Sequence, residues 1–198
     1  TNGSGLSSNL ITTNTTNSNY FYAASDATFP YPRSIASSNM TQGMVTGKKV
    51  NVLGSTNYLF SVNFYDDRAR IIQTQSTNYT GGPATVNSQY SFTGKVLRTL
   101  VAHGKGGTNP LSYSALTKNF YDAAGRVTVT TETIGNSLED TIAANQYDEL
   151  GRLSLKKLGR YRNSLTDYSY TNNPIDTLRY TYNIRDRLRG IRKDYANG

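Results

Sequence analysis

The sequence predicts an all-β chain of repeating antiparallel hairpins, and three observations carry that expectation. A heptad recurs: Tyr121-Asp122-Ala123-Ala124-Gly125-Arg126-Val127 and Tyr147-Asp148-Glu149-Leu150-Gly151-Arg152-Leu153 share Tyr-Asp, two variable residues, Gly, a cation and an aliphatic. Three weaker copies keep the register: Tyr65-Asp66-Asp67-Arg68-Ala69-Arg70-Ile71, Tyr90-Ser91-Phe92-Thr93-Gly94-Lys95-Val96 and Tyr182-Asn183-Ile184-Arg185-Asp186-Arg187-Leu188. The five begin 25, 31, 26 and 35 residues apart, spacing that marks a repeat architecture. The flanks alternate, as in Arg126-Val127-Thr128-Val129-Thr130-Thr131, with the period of a half-buried strand. Only 36% of the 198 residues are hydrophobic, yet 16 are Tyr. Tyr carries an apolar ring and a polar hydroxyl, which suits a sheet with one face packed and one face wet.

The heptad reads as a hairpin corner. A strand arrives at its aromatic. Asp follows at the first position of a type I turn, where its carboxylate accepts a bond from the N–H two residues on. Gly then supplies the positive φ of a type I turn plus bulge. A cation and a β-favouring aliphatic start the return strand. Copies with Ala69, Ser91 and Asp186 depart from the pattern, and their turns are expected to be less tight.

The elements follow in order. Residues 1–19 are rich in Asn, Thr, Ser and Gly with scattered aliphatics, which reads as a linker or an extended edge strand. Tyr20-Phe21-Tyr22 and Phe29-Pro30-Tyr31-Pro32 form an aromatic and proline loop. Its prolines rule out a central strand, and its rings are expected to pack on the sheet. Residues 1–47 are therefore set apart from a repeat region over 48–198. Gly47–Leu53 is a short strand, Gly54-Ser55-Thr56-Asn57 a turn, and Tyr58–Tyr65 a strong strand with Tyr58, Phe60, Val62 and Phe64 on one face. Ile71–Gln75 leaves the first heptad, Thr80-Gly81-Gly82-Pro83 turns, and Val86–Tyr90 enters the second. Val96–Ala102 leaves it, and the glycine-rich His103–Pro110 is a flexible connection. Lys105 sits inside the glycines with no helix after it, so this is not a phosphate loop. Leu116–Tyr121 enters the third heptad, Gly135-Asn136-Ser137 closes a hairpin, and Ile142–Tyr147 enters the fourth. A polar excursion runs from Lys156 to Pro174. Leu178–Tyr182 enters the last copy and Arg187–Lys193 leaves it.

Chemistry is sparse. The absence of Cys excludes disulfides, Cys–zinc sites and thiol catalysis. The single histidine, His103, stands in the glycine-rich segment, where solvent exposure is expected rather than a triad. The carboxylate pairs Asp66/Asp67, Glu139/Asp140 and Asp148/Glu149 are sequence neighbours, and adjacent strand residues face opposite ways. No enzyme, cofactor or metal is expected. No run of about 18 apolar residues is present, so no helical membrane span is expected. The net charge is +8, and from Leu150 onward eleven Lys and Arg meet four Asp. Ile184, Leu188 and Ile191 alternate with those cations, which argues for solvated charge paired with Asp186 and Asp194 rather than a nucleic-acid site. The chain starts without Met, at Thr1-Asn2-Gly3-Ser4, and stops at Asn197-Gly198. It is expected to be a piece of a longer exported protein.

From about Tyr58 to Tyr195, roughly seventy per cent of the chain, the repeated Tyr-Asp-x-x-Gly-Arg resembles the YD repeat of RHS proteins. The wording Gly94-Lys95-Val96-Leu97-Arg98, Tyr147–Leu153 and Tyr182–Leu188 is similar to RHS-repeat proteins of Bacteroidetes. The resemblance implies a curved, spiralling β-sheet, part of a shell that encloses a C-terminal effector. It also implies a secreted or cell-surface location, and flanking repeats of the same longer chain as partners. Carbohydrate binding, proposed for related proteins, is the alternative, as an extracellular carbohydrate-binding or partner-binding module using exposed tyrosines. The family's self-cleaving Asp-Pro-x-Gly type motif has no counterpart here. Tyr65, Tyr90, Tyr121, Tyr147 and Tyr182 should occupy equivalent places. So should Arg70, Lys95, Arg126, Arg152 and Arg187, with the cations stacking on neighbouring tyrosines. Asp140-Thr141-Ile142 and Asp176-Thr177-Leu178 resemble bacteroidetal O-glycosylation sites, making Thr141 and Thr177 candidate acceptors.

Overall fold

The structure is a computed structural model that describes residues 6–159 and 174–195. Among these every helix or strand element is a strand: β1 (Gly47–Asn51), β2 (Tyr58–Tyr65), β3 (Ile71–Thr77), β4 (Pro83–Tyr90), β5 (Val96–Lys105), β6 (Leu111–Tyr121), β7 (Val127–Ile134), β8 (Asp140–Tyr147), β9 (Leu153–Leu158), β10 (Asp176–Tyr182) and β11 (Leu188–Tyr195). Their order in the sheet is their order in the chain, as expected for consecutive hairpins. The chain divides into two compact units, Thr1–Thr117 and Lys118–Gly198. Antiparallel ladders join β1 through β5 in the first unit and β7 through β11 in the second. No helix among the described residues is long and apolar enough to cross a membrane. Most of the polar excursion, residues 160–173, lies outside the described residues.

In the first unit one sheet face is covered, and the cover is the leading segment. Gln73, Asn87 and Leu100 are cross-strand neighbours on β3, β4 and β5, and all three are buried. Phe21, Leu100 and Leu116 form an apolar cluster, with Tyr20 and Ile35 packed against it. Burying one such ring contributes about 1.5–3 kcal/mol. Of the leading segment, expected to be a linker or an edge strand, residues 6–19 cross this face without forming a strand. Buried amides hold it. Gln73 Nε2 donates to Ile11 O at 2.9 Å while Ile11 N–H donates back to Gln73 Oε1 at 2.9 Å. Gln89 makes the same pair with Tyr22, at 2.8 and 2.9 Å. Gln75 takes Ser7 N–H and gives to Asn9 O. A carboxamide has both donor and acceptor, so it can replace the strand that would otherwise satisfy an extended backbone.

The aromatic loop splits in two. Phe21 is buried, whereas Phe29 and Tyr31 are 51% and 42% exposed and meet each other edge to face at 5.9 Å. Its backbone is tied to the second corner, through Arg33 N–H to Tyr90 O and Phe92 N–H to Tyr31 O, both at 2.8 Å. Part of the glycine-rich segment, expected to be a flexible connection, belongs to a strand. His103, Gly104 and Lys105 finish β5. The end of β5 and the loop beyond it approach the β3–β4 loop so closely that a Cβ at Gly82 would lie 2.0 Å from Gly104 O, and one at Gly106 2.3 Å from Thr80 O. These glycines are needed for backbone contact, not for flexibility.

Candidate functional site

The sequence singles out the five corners, and the structure gives them one geometry. The N–H of the second residue bonds the carbonyl of the sixth at 2.8–3.0 Å, and the N–H of the fifth bonds the carbonyl of the second at 2.9–3.3 Å, in all five. The fifth residue has positive φ throughout: Ala69 63°, Gly94 88°, Gly125 75°, Gly151 81° and Asp186 59°. The copies expected to be looser therefore keep the turn, although a left-handed alanine costs about 1–2 kcal/mol. What holds it is the second residue's side-chain oxygen. Asp66 Oδ1 accepts Arg68 N–H and Arg70 N–H, both at 2.9 Å. Asp148 Oδ1 accepts those of Leu150 and Arg152 at 3.0 and 2.8 Å, and Asn183 Oδ1 those of Arg185 and Arg187 at 2.9 Å. Asp122 Oδ1 takes Arg126 N–H at 2.9 Å, and Ser91 Oγ takes Lys95 N–H at 3.0 Å. The bond two residues on was expected; the bond four residues on was not.

A bulge accompanies the corners. Phe64 pairs with Gln73 but Tyr65 with Ile71, so Ile72 is extra. Leu97, Ser154 and Arg189 are extra in the same way beside Tyr90, Tyr147 and Tyr182. A bulge bends its strand and increases the local twist.

From three corners a contact passes to the next hairpin. Arg70, Arg126 and Arg152 each donate Nε–H to Oδ2 of the aspartate in their own heptad, at 2.7 Å. Each guanidinium lies over the tyrosine that opens the following heptad: Arg70 on Tyr90 at 4.7 Å, Arg126 on Tyr147 at 4.5 Å, Arg152 on Tyr182 at 4.8 Å. Each of those hydroxyls donates to the carbonyl just after the arginine: Tyr90 to Ile71, Tyr147 to Val127, Tyr182 to Leu153, at 2.9, 2.8 and 2.9 Å. The expected cation–tyrosine stacking is thus present at three junctions, clamped by a carboxylate and closed by a hydroxyl. The glycine has a second role here. A Cβ at Gly94 would stand 3.8 Å from Arg70 Nη1, and one at Gly151 only 3.0 Å from Arg126 Nη1.

Charge follows the clamp. Burial acts to raise the Asp66 carboxyl, but the Arg70 side chain and the N–H groups of Arg70 and Arg68 outweigh it and hold the group below the ordinary range. The Arg126 N–H, against some burial and with the Arg126 side chain, lowers Asp122. Asp148 is lowered by the Arg152 side chain and N–H against burial. Burial raises the Tyr90 hydroxyl, with the Arg70 charge opposing, and burial raises that of Tyr121.

A partial copy of a corner, without the two backbone bonds of the other five, escaped the sequence reading. The Tyr65 hydroxyl donates to Val45 O at 2.7 Å, in the manner of Tyr147 on Val127. Asn63 Nδ2 also reaches Val45 O, as Asn145 Nδ2 reaches Val127 O. Val45 follows Gly43, whose φ is 79° and which stands 26 residues before Ala69. Gly43-Met44-Val45 thus replaces the Gly-Arg-Val of a full heptad. With Asn39 and Met40 in place of Tyr and Asp, only a glycine and an aliphatic remained to signal it.

The other candidates do not gather into a reaction centre. Asp66 clamps Arg70, while Asp67 meets Arg33 at 2.8 Å. Glu139 meets Lys118 at 2.7 Å and accepts the Thr131 hydroxyl. His103, expected to face solvent from a mobile loop, lies in β5 with its ring 5.2 Å from Tyr113 and Nε2 3.3 Å from Asn78 Nδ2. Among the described residues no three His, Cys, Asp or Glu side chains come together as a metal site. Thr141 is half-buried in β8 opposite Thr131, and Thr177 half-buried in β10 opposite Lys157 and Asp194. Ile184, expected to share an apolar face with Leu188 and Ile191, is fully exposed at its corner. Leu188 and Ile191 do share a face, opposite Tyr182 and Tyr180, because the bulge at Arg189 absorbs one residue. Asp186, expected to pair with the cations around it, is met by Arg152 Nη1 at 2.6 Å.

No protein-family model matches the chain, and no curated protein sequence matches it.

Proposed function

We propose that this chain is a scaffold segment of a large secreted or cell-surface RHS/YD-repeat protein, one stretch of the wall of a β-shell around a C-terminal effector. The observation that carries the reading is the Asp–Arg–Tyr contact repeated at three junctions between consecutive hairpins. Its residues are spent on holding neighbours together, which suits a wall rather than an active site. A bulge beside four of the tyrosines favours a curved sheet. The partners are then the flanking repeats rather than nucleic acid. The test is the intact mass and terminal peptide map of the protein from its native host. Many further repeats followed by an unrelated C-terminal domain are expected. A native protein ending near residue 198 would sink the shell. Added hexose mass on peptides holding Thr141 or Thr177 would mark those threonines as glycan acceptors.

The second reading is a carbohydrate-binding module, favoured by one place. An open hollow of about 730 Å³ between the Val52–Phe60 hairpin and residues 77–81 has Tyr58 and Tyr79 on its wall. Tyr79 is 81% exposed, and Lys49 Nζ lies 3.8 Å over the Tyr58 ring. A glycan array on the wild type and on Tyr79→Ala tests it; silence across the array removes the reading.

A further inference from the structure

His103, the single histidine of the chain, is tied into a hydrogen-bond network that accepts only its uncharged form. It is half-buried near the end of β5, beside Gly104 and opposite Ala84 of β4. Its Nε2 lies 3.3 Å from Asn78 Nδ2, in the loop between β3 and β4.

Asn78 decides which atom donates. Its Oδ1 accepts the N–H groups of Thr80 and Gly82 at 3.1 and 2.9 Å and the Thr80 hydroxyl at 2.7 Å. Its Nδ2 donates to Gly104 O at 2.6 Å. A flipped amide would set an NH2 against two backbone N–H groups and an oxygen against a carbonyl, so the orientation is fixed. The Nδ2 hydrogen that remains faces His103 Nε2, which is therefore an acceptor, and the ring carries its proton on Nδ1. An imidazolium has N–H at both nitrogens and would aim a donor at a donor.

We propose that His103 and Asn78 form an acid-released latch between the β3–β4 loop and the end of β5.

Nothing around the ring supplies a counter-charge. β3, β4 and residues 78–82 carry no charged side chain. β6 brings Tyr113, its ring 5.2 Å away, and Lys118; β5 itself brings Arg98 and Lys105. The other titratable groups on these elements are Tyr79, Tyr90 and Tyr121. Every charged side chain on the elements packed about His103 is thus a cation. The Tyr113 π face can receive an imidazolium, but that contact does not involve Asn78 and survives with the latch open. The open state therefore binds the proton more readily than the closed one. The latch is complete at the alkaline end of the range in which imidazoles titrate, about pH 5 to 8, and is lost as the pH falls through it.

The latch reaches further than one bond. Asn78 orders its own loop through Thr80 and Gly82, and Gly106 N–H reaches Thr80 Oγ1 at 3.1 Å. Asn78, Tyr79 and Gly81 also wall the open hollow beside the Val52–Phe60 hairpin, so that wall loosens with the latch.

The test uses the full chain and begins with the ring. Nitrogen-15 spectra of the imidazole at about pH 7.5 should show the proton on Nδ1. A proton on Nε2 overturns the latch, because that nitrogen would already face Asn78 as a donor. Amide exchange is then followed down to about pH 5, expressed as protection relative to unstructured chain so that the intrinsic pH dependence drops out. Protection of Thr80, Gly82 and Gly106 should fall about threefold, the order of one weak hydrogen bond. Ser137, bonded to Ile134 O in the loop after β7, should not respond. His103→Gln keeps an acceptor and does not titrate, so protection in that variant should stay level. An equal fall in His103→Gln, or no fall in the wild type, overturns the proposal. A threefold change moves the melting midpoint of a chain of this length by only about 2 °C, so local exchange is the readout.

Discussion

Replacing Arg70 with alanine should destabilise the first unit by about 3 kcal/mol. The side chain is mostly buried, 16% exposed, beside Asp66 at 7%. Arg70→Ala removes the Nε–H bond to Asp66 Oδ2 at 2.7 Å, the charge contact of Nη2 with the same oxygen at 2.6 Å, and the Nη1–H bond to Ser91 O at 3.1 Å. Hydrogen bonds to a charged group contribute about 1.5–3 kcal/mol, and the lower half is appropriate because Asp66 keeps its two backbone donors. The guanidinium also leaves the Tyr90 ring at 4.7 Å, a contact of about 0.5–1 kcal/mol near a surface and up to ~2 when desolvated. Asp66→Asn keeps the turn-holding oxygen and loses only the ion pair, so it should cost roughly half as much, about 1.5 kcal/mol. Urea unfolding followed by far-UV circular dichroism gives the stabilities, and hydrogen exchange over β2–β4 localises the loss. In a thermal melt the Arg70→Ala change corresponds to a drop of roughly 6–12 °C. A double-mutant cycle of Arg70→Ala with Tyr90→Leu should return about 1 kcal/mol of coupling. The reasoning fails if Arg70→Ala costs less than about 1 kcal/mol, or if that coupling is under ~0.3 kcal/mol. The control is Arg68→Ala: Arg68 sits over Phe92 at 4.3 Å but on the exposed side, and its loss should stay within about 0.5 kcal/mol.

Gly82→Ala should be poorly tolerated, because its Cβ would meet backbone atoms, Gly104 O at 2.0 Å and Gly106 N at 2.6 Å. A loss above ~2 kcal/mol is expected, with faster exchange at residues 78–82 and 103–107. Gln73→Leu keeps the volume but strips Ile11 of both backbone partners. About 2 kcal/mol should go, and exchange over residues 7–22 should rise before the sheet responds; unchanged exchange there would show that the amides do not hold the segment. Acid should destabilise the fold. Asp66, Asp122 and Asp148 all have native values below the ordinary one, so the unfolded chain binds their protons more readily. Their contribution is complete above the usual Asp value of about 3.9 and is lost as the pH falls through the depressed native values. Melting temperature should hold level from neutral pH to about 5 and fall below ~4, less steeply in Asp66→Asn.

The corners were legible because they are local. Tyr, Asp and Gly at fixed offsets report a turn whose bonds close within seven residues. Ala69 and Asp186 were misjudged because residue type was taken as a proxy for φ. The oxygens of Asp66 and Asn183 each gather two N–H groups and hold the turn whatever stands in fifth place. The covering segment was hidden for the opposite reason. Gln73, Gln75, Asn87 and Gln89 alternate like a solvated polar face, yet all four are buried. What buries them lies more than sixty residues away along the chain, and no local period can report that. The trace available was the repetition itself, amides two apart on each of two adjoining strands. His103 was misplaced similarly, since the glycines around it looked like slack and are instead sites of backbone contact.

The uneven repeat length has a physical explanation in the same contacts. The heptads begin 25, 31, 26 and 35 residues apart, which would be fatal to a solenoid that stacks along its whole unit. At three junctions the corner end is fixed by the arginine and the tyrosine that fall opposite one another, whereas at the far ends the loops after β3 and β5 make a close backbone contact of their own. Extra residues can enter at the far ends, where the closures differ: Asn78 N–H to Gly82 O after β3, Ser137 N–H to Ile134 O after β7, Ile175 N–H to Leu158 O after β9. Loop length there costs little, since doubling a loop adds only about 0.6 kcal/mol of closure entropy. A slip of one residue at the corner would instead turn every side chain of the strand to the wrong face and part the ring from the cation. Apart from the glycine contact between the loops after β3 and β5, the far loops can differ in length while the corner stays a heptad. Arg70, Arg126 and Arg152 each find a carboxylate in their own heptad and a ring in the next, so the smallest unit that satisfies those contacts spans two corners.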